Sequence, residues 1–263
     1  MSMKNYLEAS GLDFSLENDK LIYDKENYSP AIEWDKTFDA GKYAYKDTKT
    51  DLTTLYFGSR YMERSEDEAT FIANDFMADL TIINPGKVGE EFIKTVGHYH
   101  GTVPGTDVPY SEVYEPVSGK FEYLLQSEPD KDGKVDAIWV ITDPGDKVVF
   151  PPGYGHVSMN VGDEPAAEVD IQKRDNPKQS DYTMFKEKVG GALYRTEKGL
   201  TENPNYDIKS IRIVKPLEKP EWGLTKDKPL YTSFVEHPEK FQWLVRPQDF
   251  TFNLDELFED VEL

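Results

Sequence analysis

Between residues 71 and 175, short runs of β-branched and aromatic residues alternate with clusters of turn formers, and this texture constrains the fold more than any other feature. Leu80-Thr81-Ile82-Ile83 is followed by the turn Asn84-Pro85-Gly86. A second run spans residues 92–99 and a third 112–116, and Ser118-Gly119 then turns into Lys120-Phe121-Glu122-Tyr123-Leu124-Leu125, a hairpin partner. Residues 128–133 are turn chemistry throughout, and 137–141, 147–150 and 167–171 complete the strand candidates. Many short strands with Gly and Pro between them read as an all-β sandwich or barrel. Three parts are expected: residues 1–70 as an arm packed on the barrel with one or two short helices, 71–190 as the barrel, and 191–263 as a C-terminal extension. Prolines at 204, 216, 220, 229, 238 and 247 break any long helical period in that extension. Its aromatic residues Trp222, Phe241, Trp243 and Phe250 are enough to dock it, and residues 255–260 read as a short acidic helix or a solvated tail.

Composition narrows the function classes. The chain of 263 residues has 30 Lys+Arg against 50 Asp+Glu, a net charge of −20, which argues against nucleic acid as a partner because no basic stripe neutralises phosphates. Cysteine is absent, which excludes disulfides, thiolate nucleophiles, iron–sulfur clusters and Cys-based zinc sites. The longest apolar run, Ala137-Ile138-Trp139-Val140-Ile141, is far short of the ~20 residues that cross a bilayer. The opening MSMKNYLEASGLDF holds no apolar core of a signal peptide, so a cytoplasmic protein without membrane contact is expected.

Chemistry concentrates on the four histidines, His98, His100, His156 and His237. In Gly97-His98-Tyr99-His100 two of them are spaced i, i+2, and on a strand both imidazoles point to one face. Two imidazoles in one cavity repel unless deprotonated and shared by a metal, so the pair reads as ligands rather than as structural histidines. His156 follows Pro151-Pro152-Gly153-Tyr154-Gly155, a turn that delivers a side chain to the start of a strand. His237, between Glu236 and Pro238, has a loop setting and reads as structural. A carboxylate partner is expected from Ser111-Glu112-Val113-Tyr114-Glu115. Alternation puts Glu112 and Tyr114 on one face and Glu115 on the other, so only one of the two glutamates joins the histidines. Three imidazoles and one carboxylate suit Fe(II), Mn(II), Ni(II), Co(II) or Zn(II) and leave positions open for water or substrate.

These residues resemble the cupins. The second cupin motif, G-x5-P-x-G-x2-H-x3-N, is complete as Gly145, Pro151, Gly153, His156 and Asn160. The first pairs H-x-H with a later Glu followed after six residues by Gly, which His98, His100, Glu112 and Gly119 fit, so the resemblance favours Glu112 over Glu115. The chain departs in the eleven residues between His100 and Glu112, read as a loop at the barrel mouth, and in Phe92 where a glycine is usual. The fold implied is the cupin double-stranded β-helix.

A narrower resemblance covers residues 50–190. The segments MADLTIINPGKVGEEFIKTVGHYH, SEVYEPVSGK and PPGYGHVSMNVGDEP are similar to the cupin-type glucose-6-phosphate isomerases of archaea and some bacteria. That resemblance implies one divalent metal per chain, Fe(II) favoured, on His98, His100, Glu112 and His156, with Glu112 also catalytic. It implies a sugar phosphate held by Thr81, Thr95 and Gly97, with Tyr114 beside the substrate. A tyrosine from the preceding strand also serves the phosphate, Tyr56 ahead of Tyr61. Where archaeal members carry a tyrosine and a histidine after the second motif, this chain has Ile171-Gln172 and the polar stretch 176–180, while Tyr182 is recovered.

The function implied is metal-dependent interconversion of glucose 6-phosphate and fructose 6-phosphate through a cis-enediol, by a homodimer. The alternatives are an Fe(II) cupin dioxygenase and a non-catalytic sugar-binding cupin. Phosphate recognition is expected to rest on neutral hydrogen-bond donors, with Lys94 turned away from Thr95 by alternation.

Overall fold

Every strand expected between residues 80 and 171 forms, except over 92–99. There Gly97 adopts φ +88°, a left-handed conformation that a continuous strand does not tolerate. The hairpin expected across Ser118-Gly119 does not form: residues 112–118 and 121–127 cross from one sheet to the other and pair with other strands. The structure, a computed structural model, describes residues 5–17, 20–29, 32–36, 44, 54–175 and 180–262. Of the polar stretch 176–180, only Ser180 lies within the described residues.

In chain order the first strands are β1 (Phe14–Glu17), β2 (Lys20–Tyr23), β3 (Ile32–Lys36), β4 (Tyr56–Arg60) and β5 (Phe76–Ile83). Next come β6 (Lys87–Val88), β7 (Glu91–Phe92), β8 (Glu112–Ser118), β9 (Phe121–Ser127) and β10 (Lys134–Ile141). The set continues with β11 (Val148–Phe150), β12 (Tyr154–Asn160), β13 (Ala166–Lys173), β14 (Leu193–Thr196) and β15 (Gly199–Glu202). It ends with β16 (Asp207–Pro216) and β17 (Phe258–Asp260).

Two large sheets carry the fold. One is six-stranded and wholly antiparallel, in the order β11-β8-β13-β5-β4-β3. The other is five-stranded, β12-β9-β10-β16-β17, antiparallel except for the parallel pair β10/β16. Their inner faces meet: Tyr123 of β9 donates to Glu168 Oε2 of β13 at 2.9 Å, and its ring lies 5.8 Å from that of Phe150 on β11. Two facing, mostly antiparallel sheets are the arrangement expected of a double-stranded β-helix. Phe121, Tyr123, Trp139 and Phe150 are almost wholly buried, and side chains of this size supply the main hydrophobic stabilisation.

The sheets run further along the chain than their strand texture suggested. Among the described residues of the N-terminal part, the short α-helix Leu7–Ser10 is joined by a hairpin (β1/β2) and strands β3 and β4, which the sequence did not suggest. Strand β16 was not expected at all, because its residues alternate weakly and most are half-exposed or exposed. The acidic end divides into a helical turn, Leu254–Leu257, capped by the Asn253 side chain, and β17 beside β16.

The C-terminal aromatics dock outside the barrel. Phe234 packs at 4.5 Å from Phe71 and 4.9 Å from Phe76, and Trp243 stacks on Trp222 at 4.7 Å. A buried ion pair fastens this layer. Glu115 lies 2.9 Å from Lys147 and accepts from the Leu230 N–H at 2.6 Å, while Lys147 donates to the Lys228 carbonyl at 2.7 Å. Glu115 thus faces away from the histidines, as alternation on β8 requires. Among the described residues, no helix is long and apolar enough to cross a membrane.

Candidate metal centre and cavity

The segment 93–100 bridges to β12 without becoming a regular strand. The Thr95 N–H donates to the Ser158 carbonyl at 2.9 Å, and His98 and His156 exchange backbone bonds at 3.3 and 3.1 Å. Between them Gly97 is tightly enclosed: a Cβ there would meet Phe185 and Val157 at 2.6 Å. The expected i, i+2 convergence of His98 and His100 survives, because the bridge to His156 holds the segment against the barrel. Ring centroids are 5.2 Å apart for His98 and His100, 4.5 Å for His98 and His156, and 5.1 Å for His100 and His156.

Glu112 completes the group from the start of β8. Each of His98, His100, Glu112 and His156 offers a ligand atom, and these atoms lie within 4.8 Å of one another. Glu112 Oε2 lies 2.8 Å from His100 Nε2 and 3.5 Å from His156 Nε2. Phe150 stacks on the His156 ring at 4.1 Å and fixes its plane. Burial and the neighbouring His100 push His98 down to about 3, and burial with His98 pushes His156 well below the usual range. Both are therefore neutral imidazoles with a lone pair to give. Burial also pulls on His100, but the Glu112 carboxylate outweighs it and raises His100, while Glu112 is held below the usual range against its own burial.

The donor set fits a metal ion. His100 Nδ1 lies 3.0 Å from the Tyr110 carbonyl, which only accepts, so Nδ1 carries the hydrogen and a neutral ring presents a lone pair at Nε2. That lone pair faces a carboxylate oxygen, and His100 Nε2, His156 Nε2 and Glu112 Oε2 have no hydrogen-bond partner. Buried acceptors pointing at one another are costly unless a cation lies among them. These four residues could hold a divalent ion.

A cavity of about 230 Å³ opens beside the cluster, lined by His98, Glu112 and His156 together with Tyr56, Thr81, Thr95, Gly97 and Tyr114. All five residues expected around a substrate are thus brought to one wall system. Thr95 Oγ1 accepts from the Ser158 N–H at 3.0 Å, and the Tyr56 hydroxyl accepts from the Val96 N–H at 3.4 Å. Tyr182 lines the same cavity, whereas Tyr61 does not and instead donates to Asp175. Lys94 is buried against Glu91 at 2.9 Å, outside the lining, and the half-exposed His237 lies 3.4 Å from Glu239.

Several lining residues were missed. Arg60, Asp79, Glu168, Asp170 and Gln172 all reach the cavity. Alternation on β5 from Thr81 would have found Asp79, and β13 pairs Glu168 with Thr81 and Asp170 with Asp79 across the ladder. Gln172 Nε2 donates to Asp170 at 2.9 Å and Asp79 at 3.4 Å, and Arg60 lies 3.8 Å from Asp79. Burial pushes Asp79 up to about 7 and Asp170 well above the carboxylate range.

Comparison with known proteins gives a consistent set of likenesses. A family model described as glucose-6-phosphate isomerase matches residues 36–212. Glucose-6-phosphate isomerase of Thermococcus onnurineus (strain NA1) is 36% identical over 129 residues, 48% of this chain and 62% of that protein. The enzyme of the same name from Pyrococcus furiosus is 35% identical over the same shares. The chain therefore spans about 62% of the length of these curated relatives. Among solved structures, recombinant oxalate oxidase in complex with glycolate is 15% identical with a TM-score of 0.35, covering 51% of this chain and 58% of that one, a likeness too distant to bear on the site.

Proposed function

The chain belongs to the glucose-6-phosphate isomerase family, and from that premise we propose that it interconverts glucose 6-phosphate and fructose 6-phosphate as a metal-dependent aldose–ketose isomerase. The observation that carries this reading is the meeting of a four-ligand cluster with Tyr56, Thr81, Thr95 and Gly97 in and around one cavity.

The reaction moves a proton between C2 and C1 of the open-chain sugar through a cis-enediol. Glu112 is the group for that work. Its carboxylate takes the proton from one carbon and returns it to the other. Its pKa, held low by His100 against burial, keeps it ionised and ready as a base at neutral pH. A divalent ion held by His98, His100, Glu112 and His156 supplies Lewis-acid stabilisation of the charge that develops on the sugar oxygens. Fe(II) is favoured, with Mn(II), Zn(II), Ni(II) or Co(II) as alternatives for a three-imidazole, one-carboxylate set.

The phosphate is gripped at the far end of the cavity by the hydroxyls of Thr81, Thr95 and Tyr56 and the N–H of Gly97. Thr95 already accepts from the Ser158 N–H, which leaves its own hydrogen to donate. Among the described residues, Arg60 is the cation at the lining, and Asp79 stands 3.8 Å from it, so the neutral donors of Thr81, Thr95, Tyr56 and Gly97 carry the recognition in this reading. Tyr114, next but one to Glu112 on β8, borders the sugar. The same reading places the enzyme in the cytoplasm as a homodimer, and the exposed Leu7, Ile22 and Ile32 of the N-terminal part suit a pairing surface.

Incubation with fructose 6-phosphate in the absence of dioxygen tests the proposal. Formation of glucose 6-phosphate is expected, without comparable turnover of unphosphorylated fructose. A requirement for dioxygen would instead make the protein an oxygenase.

A further inference from the structure

Glu168 is buried in the cavity wall beside Thr81, and nothing in the proposed reaction employs it. It lies on β13 directly across the ladder from Thr81 of β5, and it lines the same cavity as Thr81, Thr95 and Ser158. The residue is 0% exposed. Its Oε2 accepts from the Tyr123 hydroxyl at 2.9 Å, and Ser158 also gives the carboxyl a hydrogen bond. Its Oε1 is buried and has no partner. A carboxyl oxygen left in that state is either an unsatisfied acceptor or the bearer of a proton with nothing yet to donate it to.

We propose that Glu168 is a specificity residue for the phosphate group, its carboxyl bearing the proton on Oε1 and donating it as a hydrogen bond to a phosphate oxygen. This rests on the sugar-phosphate reading given above. An ionised Glu168 would repel the dianion, whereas the protonated acid adds one donor to those of Thr81, Thr95 and Gly97.

The surroundings favour the protonated form. The hydrogen-bond partners Tyr123 and Ser158 are hydroxyls and bring no positive charge. From β8 come Tyr114 and Glu112, from β5 Asp79, from β12 His156, and Asp170 follows two residues on along β13. His156 is neutral and Glu112 is anionic. The cation on β4, Arg60, sits in the row of Asp79, one row away from Glu168. Burial, with a smaller contribution from the charge of Glu112, pushes Glu168 up to about 8, against the hydrogen bonds from Tyr123 and Ser158, which favour the ionised form.

A purely structural Glu168, a strut for Tyr123, would leave substrate affinity indifferent to its ionisation. The difference is measurable as KM for fructose 6-phosphate between pH 7 and pH 9, where a sugar phosphate with a second pKa of about 6 stays dianionic throughout. In the wild type KM rises roughly tenfold over that range, as a site of pKa near 8 loses its proton. In Glu168→Gln, which keeps the shape and a donor but cannot ionise, the same ratio stays within about twofold. Calorimetric binding of inorganic phosphate to the metal-free protein, wild type against Glu168→Gln, repeats the comparison without turnover. A difference in pH dependence between the two proteins supports the proposal even if no isomerase activity is found, in which case only the sugar-phosphate reading falls. Equal pH dependence in an active pair, or no binding of phosphate by either protein, overturns the role of Glu168.

Discussion

His100 Nε2 and Glu112 Oε2 stand 2.8 Å apart while His100 Nδ1 is engaged at the Tyr110 carbonyl. The backbone of the loop before β8 thus fixes the tautomer of one imidazole and aims its lone pair at the carboxylate. The arrangement suits ligands that could hold an ion.

Metal content should follow the cluster and not histidine number. His156→Ala is expected to lose at least tenfold in metal affinity, whereas His237→Ala retains full occupancy, as measured by elemental analysis after dialysis. Equal metal in wild type and His156→Ala would remove the assignment.

Binding and chemistry should separate by residue. Thr95→Val is expected to raise KM for fructose 6-phosphate by about 10–100-fold with kcat little changed, as loss of one hydrogen bond to a charged group does. Thr95→Ser keeps the hydroxyl and should restore most of the affinity. Glu112→Gln is expected to lower kcat by roughly 10²–10⁴ with part of the metal retained, and steady-state kinetics distinguishes the two patterns.

The clip at Glu115 should matter for stability and not for metal. Lys147→Met leaves the Glu115 carboxylate buried without its cation, at a cost of about 3–5 kcal/mol, read as a lower midpoint in urea. Unchanged stability would mean that the C-terminal layer is held by its aromatic packing alone.

Much of this was legible in the sequence. Short runs bounded by Asn84-Pro85-Gly86 or Ser118-Gly119 mark strands that form where expected, though β8 and β9 part into different sheets instead of pairing as a hairpin, and alternation separates Glu112 from Glu115. The convergence of His98 and His100 was read from strand geometry, yet a glycine in the left-handed region and a bridge to His156 produce it. Less legible were the acidic side chains of β5 and β13. Asp79 shares the face of Thr81 by alternation, whereas Glu168 and Asp170 are set opposite Thr81 and Asp79 by the pairing of β13 with β5, which no sequence pattern announces. Strand β16 escaped because most of its residues are exposed or half-exposed, so pairing with β10 defines it and hydrophobic pattern does not.

The buried carboxyls should also leave a mark on stability. Glu168 is raised to about 8 in the folded protein, against roughly 4.3 when unfolded, so between these values the folded chain holds a proton that the unfolded chain has lost. Its contribution is full below about pH 4 and is lost as pH rises through about 8. Metal-free protein should therefore lose up to a few kcal/mol from pH 5 to pH 8.5, and Glu168→Gln should flatten that decline in denaturant titrations. A wild-type curve no steeper than that of the variant would place the Glu168 ionisation elsewhere.

The most direct test is stoichiometric reloading. Metal-free protein titrated anaerobically with Fe(II) should regain conversion of fructose 6-phosphate in proportion to bound ion, with a break at one ion per chain. Full activity without metal, or no activity at one bound ion per chain, would contradict a metal-dependent isomerase built on His98, His100, Glu112 and His156.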